Sequence, residues 1–142
     1  MRVNQVAKLL SVTPDTVRFY TRIKLLQPSK SSSTGYREYF EKDVNRLRFV
    51  LSSRQLGFSV SDIKQILAEA DDEKSPCMTV RRLIDQRLHE TEQRFLEMFE
   101  LRKRMSQAVL EWNNKPDKAP TDQTICHLIE GFSLTKKSEG KS

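Results

Sequence analysis

The sequence predicts a mainly α-helical protein with an N-terminal winged helix-turn-helix, one long dimerisation helix, and a short C-terminal loop and helix. Apolar residues recur at helical spacing along most of the chain, and a Thr-Pro pair restarts a helix after a short break. The stretch from Cys77 to Trp112 contains neither Gly nor Pro. These patterns divide the chain into four predicted parts, namely residues 1–74, 77–112, 113–131 and a disordered tail over 132–142.

The positive charge of the chain is concentrated near its N-terminus. Lys and Arg together number 25 against 19 Asp and Glu, and the isoelectric point is near 9.5. Residues 1–54 carry 11 basic against 4 acidic side chains, whereas residues 55–142 carry 14 against 15. Because a basic region suits a negatively charged partner, we expect nucleic acid to meet the N-terminal third.

Hydropathy and cysteine content indicate the cellular compartment. The sequence has no run of 18 apolar residues, and its N-terminus lacks the apolar stretch of a secretory signal. We therefore expect a cytoplasmic protein with no membrane partner. The two cysteines are Cys77 and Cys126. Since a structural disulfide is disfavoured in a reducing compartment, metal binding, redox chemistry and simple burial stay open as roles for them.

The first two predicted helices form a helix-turn-helix. Apolar positions between residues 3 and 10 have helical spacing, and Thr13 followed by Pro14 suits an N-cap and a first helical position. We predict that the second helix runs from Pro14 to about Arg22 and turns its N-terminal end toward a DNA groove. Its candidate DNA-binding residues are Asp15, Thr16, Arg18, Tyr20 and Arg22.

A wing is predicted after this motif. Residues 28–35 are rich in Ser and contain Pro and Gly, which is typical of a loop. Residues 36–40 alternate as a short strand pair does, and this pair would display Tyr36 and Arg37 to DNA. Two further helices are predicted over residues 41–54 and 59–70.

The long helix carries the apolar face of a coiled coil. Its apolar positions are spaced alternately by four and three residues, with polar interruptions at Thr91 and Arg102. The other members of this seam are Ile84, Leu88, Phe95, Met98, Met105, Val109 and Trp112. At ~1.5 Å per residue the helix would be roughly 54 Å long, and no other predicted element is long enough to cover it. We therefore predict a homodimer.

Three motifs resemble those of the MerR family of bacterial transcription regulators. They are Val-Thr-Pro-Asp-Thr-Val-Arg-Phe-Tyr at 12–20, Gly-Tyr-Arg-Glu-Tyr at 35–39 and Arg-Gln-Leu-Gly-Phe-Ser at 54–59. The resemblance implies a winged-helix dimer joined by a long antiparallel coiled coil. It also implies a protein that sits on promoters whose two recognition elements are too far apart. Inducer binding would make the dimer distort the DNA so that RNA polymerase can use it.

The resemblance assigns roles to individual DNA-binding residues. It places Arg18, Tyr20 and Arg37 near phosphates, and Asp15 and Thr16 nearer base edges. Tyr36 would pack or hydrogen bond at the wing. Packing in the core is an alternative role for Tyr20 and the favoured role for Tyr39.

Two positions depart from the family pattern in the DNA-binding part. Family members commonly have Glu and Gly where this chain has Thr21 and Lys24. Loss of the Gly removes a favoured left-handed helix terminator, so the end of the recognition helix stays open. Lys24 could add a phosphate contact.

The resemblance also implies an inducer site for a divalent metal. A thiolate at the start of the dimerisation helix is associated with sensors of Zn, Cd or Pb, and Cys77 occupies that position. Cys126 matches the second loop cysteine of the metal-sensing branch. Because Cys77 and Trp112 lie at opposite ends of one helix, Cys77 would meet the partner's loop in an antiparallel dimer.

The predicted metal site lacks one family ligand. Relatives usually carry a further cysteine where the long helix ends, and this chain has Trp112-Asn113-Asn114 there. Two thiolates are too few for a closed tetrahedral site, so we predict His127 as the third ligand, with Asp117 or Asp122 as alternatives. Two sulfurs and one nitrogen suit Zn best, with Cd or Pb as alternatives.

Two other functions stay open. The cysteines could sense oxidants or electrophiles through thiol chemistry while the DNA binding is kept. The chain could also be an architectural DNA-binding protein without an inducer, in which residues 113–124 only connect helices. We do not expect an enzyme, because the sequence pairs no nucleophile with a base and has no Gly-rich phosphate loop.

Overall fold

The computed structural model describes residues 1–132 and confirms the predicted fold class. Five helices and a two-stranded antiparallel sheet follow one another, and a short helical turn covers residues 127–132. The elements are α1 (Val3–Leu9), α2 (Pro14–Arg22), β1 (Ser29–Lys30), β2 (Arg37–Glu38), α3 (Glu41–Gln55), α4 (Val60–Asp71) and α5 (Cys77–Trp112). Phe132, which we assigned to the tail, belongs to the last helical turn, and the rest of the predicted disordered tail lies outside the described residues.

The recognition helix α2 begins at Pro14, as predicted, and ends at Arg22, which settles the end that the sequence left open. The Thr13 side chain caps it by accepting a hydrogen bond from the Thr16 backbone N–H at 3.2 Å, and Pro14 occupies the first helical position. Val17 is fully buried. The cap and the buried Val17 fix the start and the rotation of α2, and so decide which side chains face outward.

The end of α2 shows how the chain manages without the family's glycine. Lys24 takes a left-handed conformation at φ 69°, which L-residues with a side chain adopt at a cost. The N–H of Leu25 donates to the carbonyl of Tyr20 at 3.0 Å, and the N–H of Lys24 donates to that of Thr21 at 3.0 Å. This hydrogen-bond pair is a Schellman cap, so α2 stops without glycine but with strain at Lys24.

The wing differs in detail from the prediction. Its strands are Ser29–Lys30 and Arg37–Glu38, paired antiparallel with Ser29 opposite Glu38 and Lys30 opposite Arg37. Pro and Ser beside Ser29 and Lys30 are typical of turns and predict a loop there, whereas the structure pairs these two residues in β1. The loop is therefore shorter than predicted, and Lys30 becomes the cross-strand neighbour of Arg37.

The core of the N-terminal unit extends past the boundary predicted at residue 74. Its apolar cluster includes Leu83 from α5, with Val80 and Ile84 packed against it. A hydrogen bond of 2.7 Å joins the Thr79 hydroxyl to Glu69 of α4. The first turns of α5 therefore belong to one compact unit of residues 1–89.

Arg46 of α3 connects three parts of this unit. Its guanidinium donates to the Leu25 carbonyl at 2.7 Å, just after the recognition helix. It also donates to both carboxylate oxygens of Asp71, at 2.8 and 2.9 Å. The hydrogen bonds from Arg46 hold the pKa of the Asp71 carboxyl below its ordinary value. Arg46 thereby fixes the exit of the recognition helix against the end of α4.

The second unit, residues 90–132 of the described chain, has little core of its own. In this part of α5 only Ala108 is buried. The indole of Trp112 and the ring of Phe132 meet edge to face at a centroid distance of 6.0 Å. Among the described helices, none combines the length and the apolar character that crossing a membrane requires.

Candidate nucleic-acid interface and metal donors

The outer surface of α2 displays three of the predicted DNA-binding side chains. Asp15, Arg18 and Arg22 are exposed, and Thr16 is half-buried. Arg18 donates to the Asp15 carboxylate at 2.9 Å. Because both partners of this ion pair are exposed, it is weak and can open at little cost when another anion approaches.

Tyr20 lies largely inside the protein. Only 8% of it is exposed, and its ring meets the Phe19 ring edge to face at 5.1 Å. Its burial agrees with the packing alternative that we gave for this residue. A phosphate contact by Tyr20 stays a prediction.

Tyr39 and Thr21 form a buried link between the wing and the recognition helix. Tyr39 is 1% exposed, as expected for a packing residue, and its hydroxyl lies 2.7 Å from that of Thr21. The Thr21 hydroxyl donates to the Val17 carbonyl at 2.9 Å, so Tyr39 donates to Thr21. Thr21 therefore helps to hold the wing against α2.

The wing presents Tyr36 and Arg37 outward, in the places predicted for them. Tyr36 is 60% exposed, and the guanidinium of Arg2 lies over its ring at 4.5 Å from the centroid. This distance is that of a cation–π contact. Tyr36 is thus a platform that carries an arginine from the start of α1.

An open groove joins the start of α1, the side of α2 and the wing. Four cationic side chains line it and no acidic one does. Its lining residues are Arg2, Val3, Asn4, Arg18, Lys30, Gly35, Tyr36 and Arg37. Gly35 has φ 74°, a conformation that favours glycine at this turn. The groove has the shape and charge expected of a surface that follows a phosphate backbone.

Sequence reasoning missed two of these cations, Arg2 and Lys30. The correct strand register would have revealed Lys30, since it pairs with Arg37. Arg2 reaches the wing through the tertiary fold, since 34 residues separate it from Tyr36 in the chain. No sequence signal marks that contact.

The predicted metal donors lie at the two ends of α5 in chain order. Cys77 is the first residue of α5 and is exposed, and Cys126 is half-buried just before the last helical turn. Asp117 and Asp122 are both exposed. Within residues 1–132 of a single chain, no three His, Cys, Asp or Glu side chains come close enough together to hold a metal ion.

His127 is held in a definite orientation. Its Nε2 atom lies 2.9 Å from the carbonyl oxygen of Pro116. Since a carbonyl can only accept, Nε2 donates, and the neutral ring keeps its lone pair on Nδ1. Metal-binding histidines commonly donate their second ring N–H to a carbonyl in this way. The imidazole is therefore arranged as a potential nitrogen ligand.

These features define the class of protein. A capped recognition helix, a wing that displays aromatic and basic side chains, and a continuous basic groove are the parts of a winged helix-turn-helix DNA-binding domain.

Comparison with known families identifies the chain more closely. The model for MerR HTH family regulatory proteins matches residues 1–70, and the model described as MerR, DNA binding, matches residues 44–108. The chain belongs to the MerR family of DNA-binding transcription regulators.

Several relatives carry names that refer to metals. The chain is 36% identical over 98 residues to the HTH-type transcriptional regulator ZntR of Escherichia coli K12, covering 68% of this chain and 70% of ZntR. It is 30% identical over 133 residues to a probable heavy metal-dependent transcriptional regulator of Haemophilus influenzae, covering 94% and 99%. Identity to the regulator HmrR of Rhizobium leguminosarum is 33% over 135 residues, covering 94% and 98%. All three are named as regulators, which agrees with the expectation that the chain is no enzyme.

Solved structures share the fold. A MerR-family regulator from Bacillus cereus superposes with a TM-score of 0.76 at 19% identity, covering 100% of this chain and 98% of that one. The regulator PbrR691 of Ralstonia metallidurans, solved in complex with lead(II), superposes with a TM-score of 0.69 at 24% identity, covering 92% of this chain and 98% of that one. These likenesses concern the fold alone.

Proposed function

We propose that this chain is a cytoplasmic, homodimeric, metal-responsive transcription regulator. It binds double-stranded promoter DNA, and binding of a divalent ion, most suitably Zn with Cd or Pb as alternatives, makes the dimer distort that DNA. RNA polymerase then transcribes metal-resistance or efflux genes. The observation that supports this proposal is that one chain combines the basic winged-helix groove with Cys77 at the start of α5 and an oriented His127 beside Cys126 after its end.

The DNA-binding part of the proposal rests on the groove between α1, α2 and the wing. We assign base-edge contacts to Asp15 and Thr16, and phosphate contacts to Arg18, Arg22 and Arg37, because the first turn of a recognition helix enters the major groove. Tyr36 supports the wing beside the backbone. Twisting or bending a promoter costs of order 1–6 kcal/mol, which such contacts can offset.

The dimer rests on the exposed apolar seam of α5. Four seam residues of the second unit, each more than half exposed, have nothing covering them in the described part of this chain, and these are Phe95, Met98, Met105 and Val109. A second copy in antiparallel register would bury them. The same register would bring Cys77 of one protomer to the loop of the other.

The metal ligands that we assign are Cys77 of one protomer with Cys126 and His127 of the other. The donor set fits a borderline or soft divalent ion, since it offers two thiolates and an imidazole whose Nδ1 is available. Asp117 or Asp122 would supply a fourth donor. Such a site would fix the dimer interface in one of two arrangements. Binding of the metal would then change the spacing of the two DNA-binding units.

A metal titration tests the sensor assignment. The purified, reduced protein is titrated with Zn(II), Cd(II), Pb(II) and Cu(I) against a competing chelator, beside Cys77→Ser and Cys126→Ser. We expect tight binding of a divalent ion that either substitution abolishes. Absence of tight binding to every ion would refute the metal assignment.

DNA binding is tested separately from metal binding. A duplex library is enriched with the purified protein, and the distortion of a selected duplex is followed by fluorescence between dyes at its ends, with and without metal. We expect a metal-dependent change in the dye distance that Cys77→Ser removes. An unchanged distance would refute the proposed distortion even if the metal binds.

Thiol sensing is the second candidate, and the exposure of Cys77 supports it. An exposed thiol is accessible to oxidants and electrophiles. This alternative predicts that oxidant changes the transcription of a target promoter in metal-free protein and that His127→Ala leaves this response unchanged. The metal-sensing function predicts that His127→Ala weakens the response to metal.

A further inference from the structure

We infer that Arg2 is a further DNA-contacting residue, held over the Tyr36 ring so that its guanidinium can bind a backbone phosphate beside the wing. This inference deepens the proposed function and rests on it. Arg2 is the N-cap residue of α1 and lies outside both the recognition helix α2 and the wing strands. It would therefore add a third element, the start of α1, to the phosphate contacts.

The backbone at Arg2 is fixed, while its side chain is exposed. The Arg2 backbone N–H donates to the Gln5 side chain at 2.9 Å, and the Arg2 carbonyl accepts from the N–H of Val6 at 3.1 Å. These bonds fix the point from which the side chain leaves. The guanidinium then lies 4.5 Å from the centroid of Tyr36.

The stack leaves the hydrogen-bonding groups of Arg2 available. A guanidinium carries five N–H donors, and its contact with a ring does not use all of them. Among residues 1–132, no carboxylate forms an ion pair with Arg2. Because Tyr36 already restricts the side chain, binding an anion would cost Arg2 less conformational freedom than it costs an unrestrained arginine.

The neighbouring charges favour an anion at this place. Lys30 stands directly opposite Arg37 in the two-stranded sheet, and like charges in such pairs repel. No acidic residue lines the groove that contains Arg2, Lys30 and Arg37. A phosphate placed there would relieve this repulsion. A phosphate of the DNA backbone is the ligand that the proposed function supplies.

Salt dependence of DNA binding provides the test. Each phosphate contact adds about 0.9 to the slope of log affinity against log salt, so removing Arg2 from both protomers should lower the slope by roughly 1.8. We compare the affinity and its salt dependence between the unmodified protein and three variants, Arg2→Gln, Arg2→Lys and Tyr36→Leu. Each protein is measured on a duplex enriched from a random library and on a scrambled duplex. Melting temperatures establish that each variant is folded.

The expected pattern is specific to a stacked phosphate contact. Arg2→Gln should lower the slope and should weaken binding to both duplexes by the same factor, because phosphate contacts carry no sequence information. Arg2→Lys should keep the slope, and Tyr36→Leu should keep it with weaker binding. The matched control is Arg104→Gln, an exposed arginine of α5 in the second unit, which should leave the slope unchanged.

Three outcomes are distinguishable. A slope for Arg2→Gln equal to that of the unmodified protein would overturn the inference while leaving the proposed function intact. An equal loss of slope in Arg104→Gln would also overturn it, because the effect would then reflect net charge alone. Failure of the unmodified protein to bind any duplex would overturn the proposed function itself.

Discussion

The two units of this chain bury their apolar residues in different ways. In residues 1–89 the helices close on a continuous core in which residues such as Val6, Leu47 and Ile63 are fully buried. In residues 90–132 the seam of α5 carries Phe95 and Met98 with 68% and 65% of their area exposed. The first unit is complete within one chain, and the second leaves its apolar face for another molecule to cover.

The two units also differ in which contacts explain their residues. Residues of the first unit are explained by contacts within the chain, such as the bidentate Arg46–Asp71 pair or the Thr21–Tyr39 link. The seam residues of the second unit are left exposed by the contacts within the described chain, and the proposed dimer would cover them. Substitutions in the two units should therefore fail differently, the first through folding and DNA contact and the second through assembly and metal binding.

The largest effect is expected from a charge in the α5 seam. Met98→Glu would place two carboxylates in an apolar interface, and we expect the dimer dissociation constant to rise at least ~100-fold. Analytical ultracentrifugation measures it. The matched control is Gln107→Glu, which lies on the opposite side of the helix from the seam and should leave the dimer intact. A Met98→Glu protein that stays dimeric would show that the seam is not the interface.

An effect of similar size is expected from removing one metal ligand. Removing a residue that hydrogen-bonds to a metal ligand typically lowers the metal affinity by ~10–100-fold. Removing the ligand itself, as in His127→Ala, should therefore lower the affinity by at least ~100-fold. His89→Ala is the control, because this exposed histidine bonds to the Asp85 carbonyl of its own helix. The competition titration with a chelator measures both. Equal affinities of the two variants would remove His127 from the site.

Within the first unit, the Thr21–Tyr39 link gives a test of folding. Thr21→Val leaves the buried Tyr39 hydroxyl without its acceptor, which should lower the free energy of unfolding by about 1–3 kcal/mol. Urea unfolding measures the loss. The double variant Thr21→Val/Tyr39→Phe removes both partners and should recover part of the stability. A double variant that is less stable than the single one would contradict this explanation.

The smallest effect should come from relieving strain at the end of α2. Lys24→Gly removes the side chain that is held at φ 69°, and we expect a gain of about 0.5–1 kcal/mol in unfolding free energy. Lys24→Ala should gain nothing, because alanine suffers the same strain. Lys64→Gly, an exposed position inside α4, should instead lose about 1 kcal/mol. A destabilised Lys24→Gly protein would mean that the Lys24 side chain contributes contacts that outweigh the strain.

Local signals explain what the sequence could predict. The start of α2 and both ends of α5 were correct, since Thr13-Pro14 marks a helix start and the stretch without Gly or Pro marks one long helix. The donors Cys77, Cys126 and His127 stay a prediction, in which the resemblance to the family supplies the two cysteines and the nearness of His127 to Cys126 supplies the third donor. These helix boundaries depend on signals carried by neighbouring residues in the sequence.

Tertiary contacts explain what the sequence could not predict. The strand at Ser29–Lys30 depends on pairing with Arg37–Glu38, which outweighs the turn preference of its own residues. The burial of Tyr20 and the position of Arg2 over Tyr36 depend on how α1, α2 and the wing pack together. The participation of Leu83 in the core likewise depends on how α5 meets the rest of the first unit.

The most direct test of the account is a mixed dimer that carries Cys77→Ser in one protomer and Cys126→Ser in the other, purified through two different affinity tags. If each site takes Cys77 from one protomer and Cys126 from its partner, one of the two sites keeps both thiols. The account therefore predicts that this heterodimer binds one divalent ion tightly, whereas each singly substituted homodimer binds none. A heterodimer that binds no metal, beside an unmodified dimer that does, would contradict a site shared between the two chains.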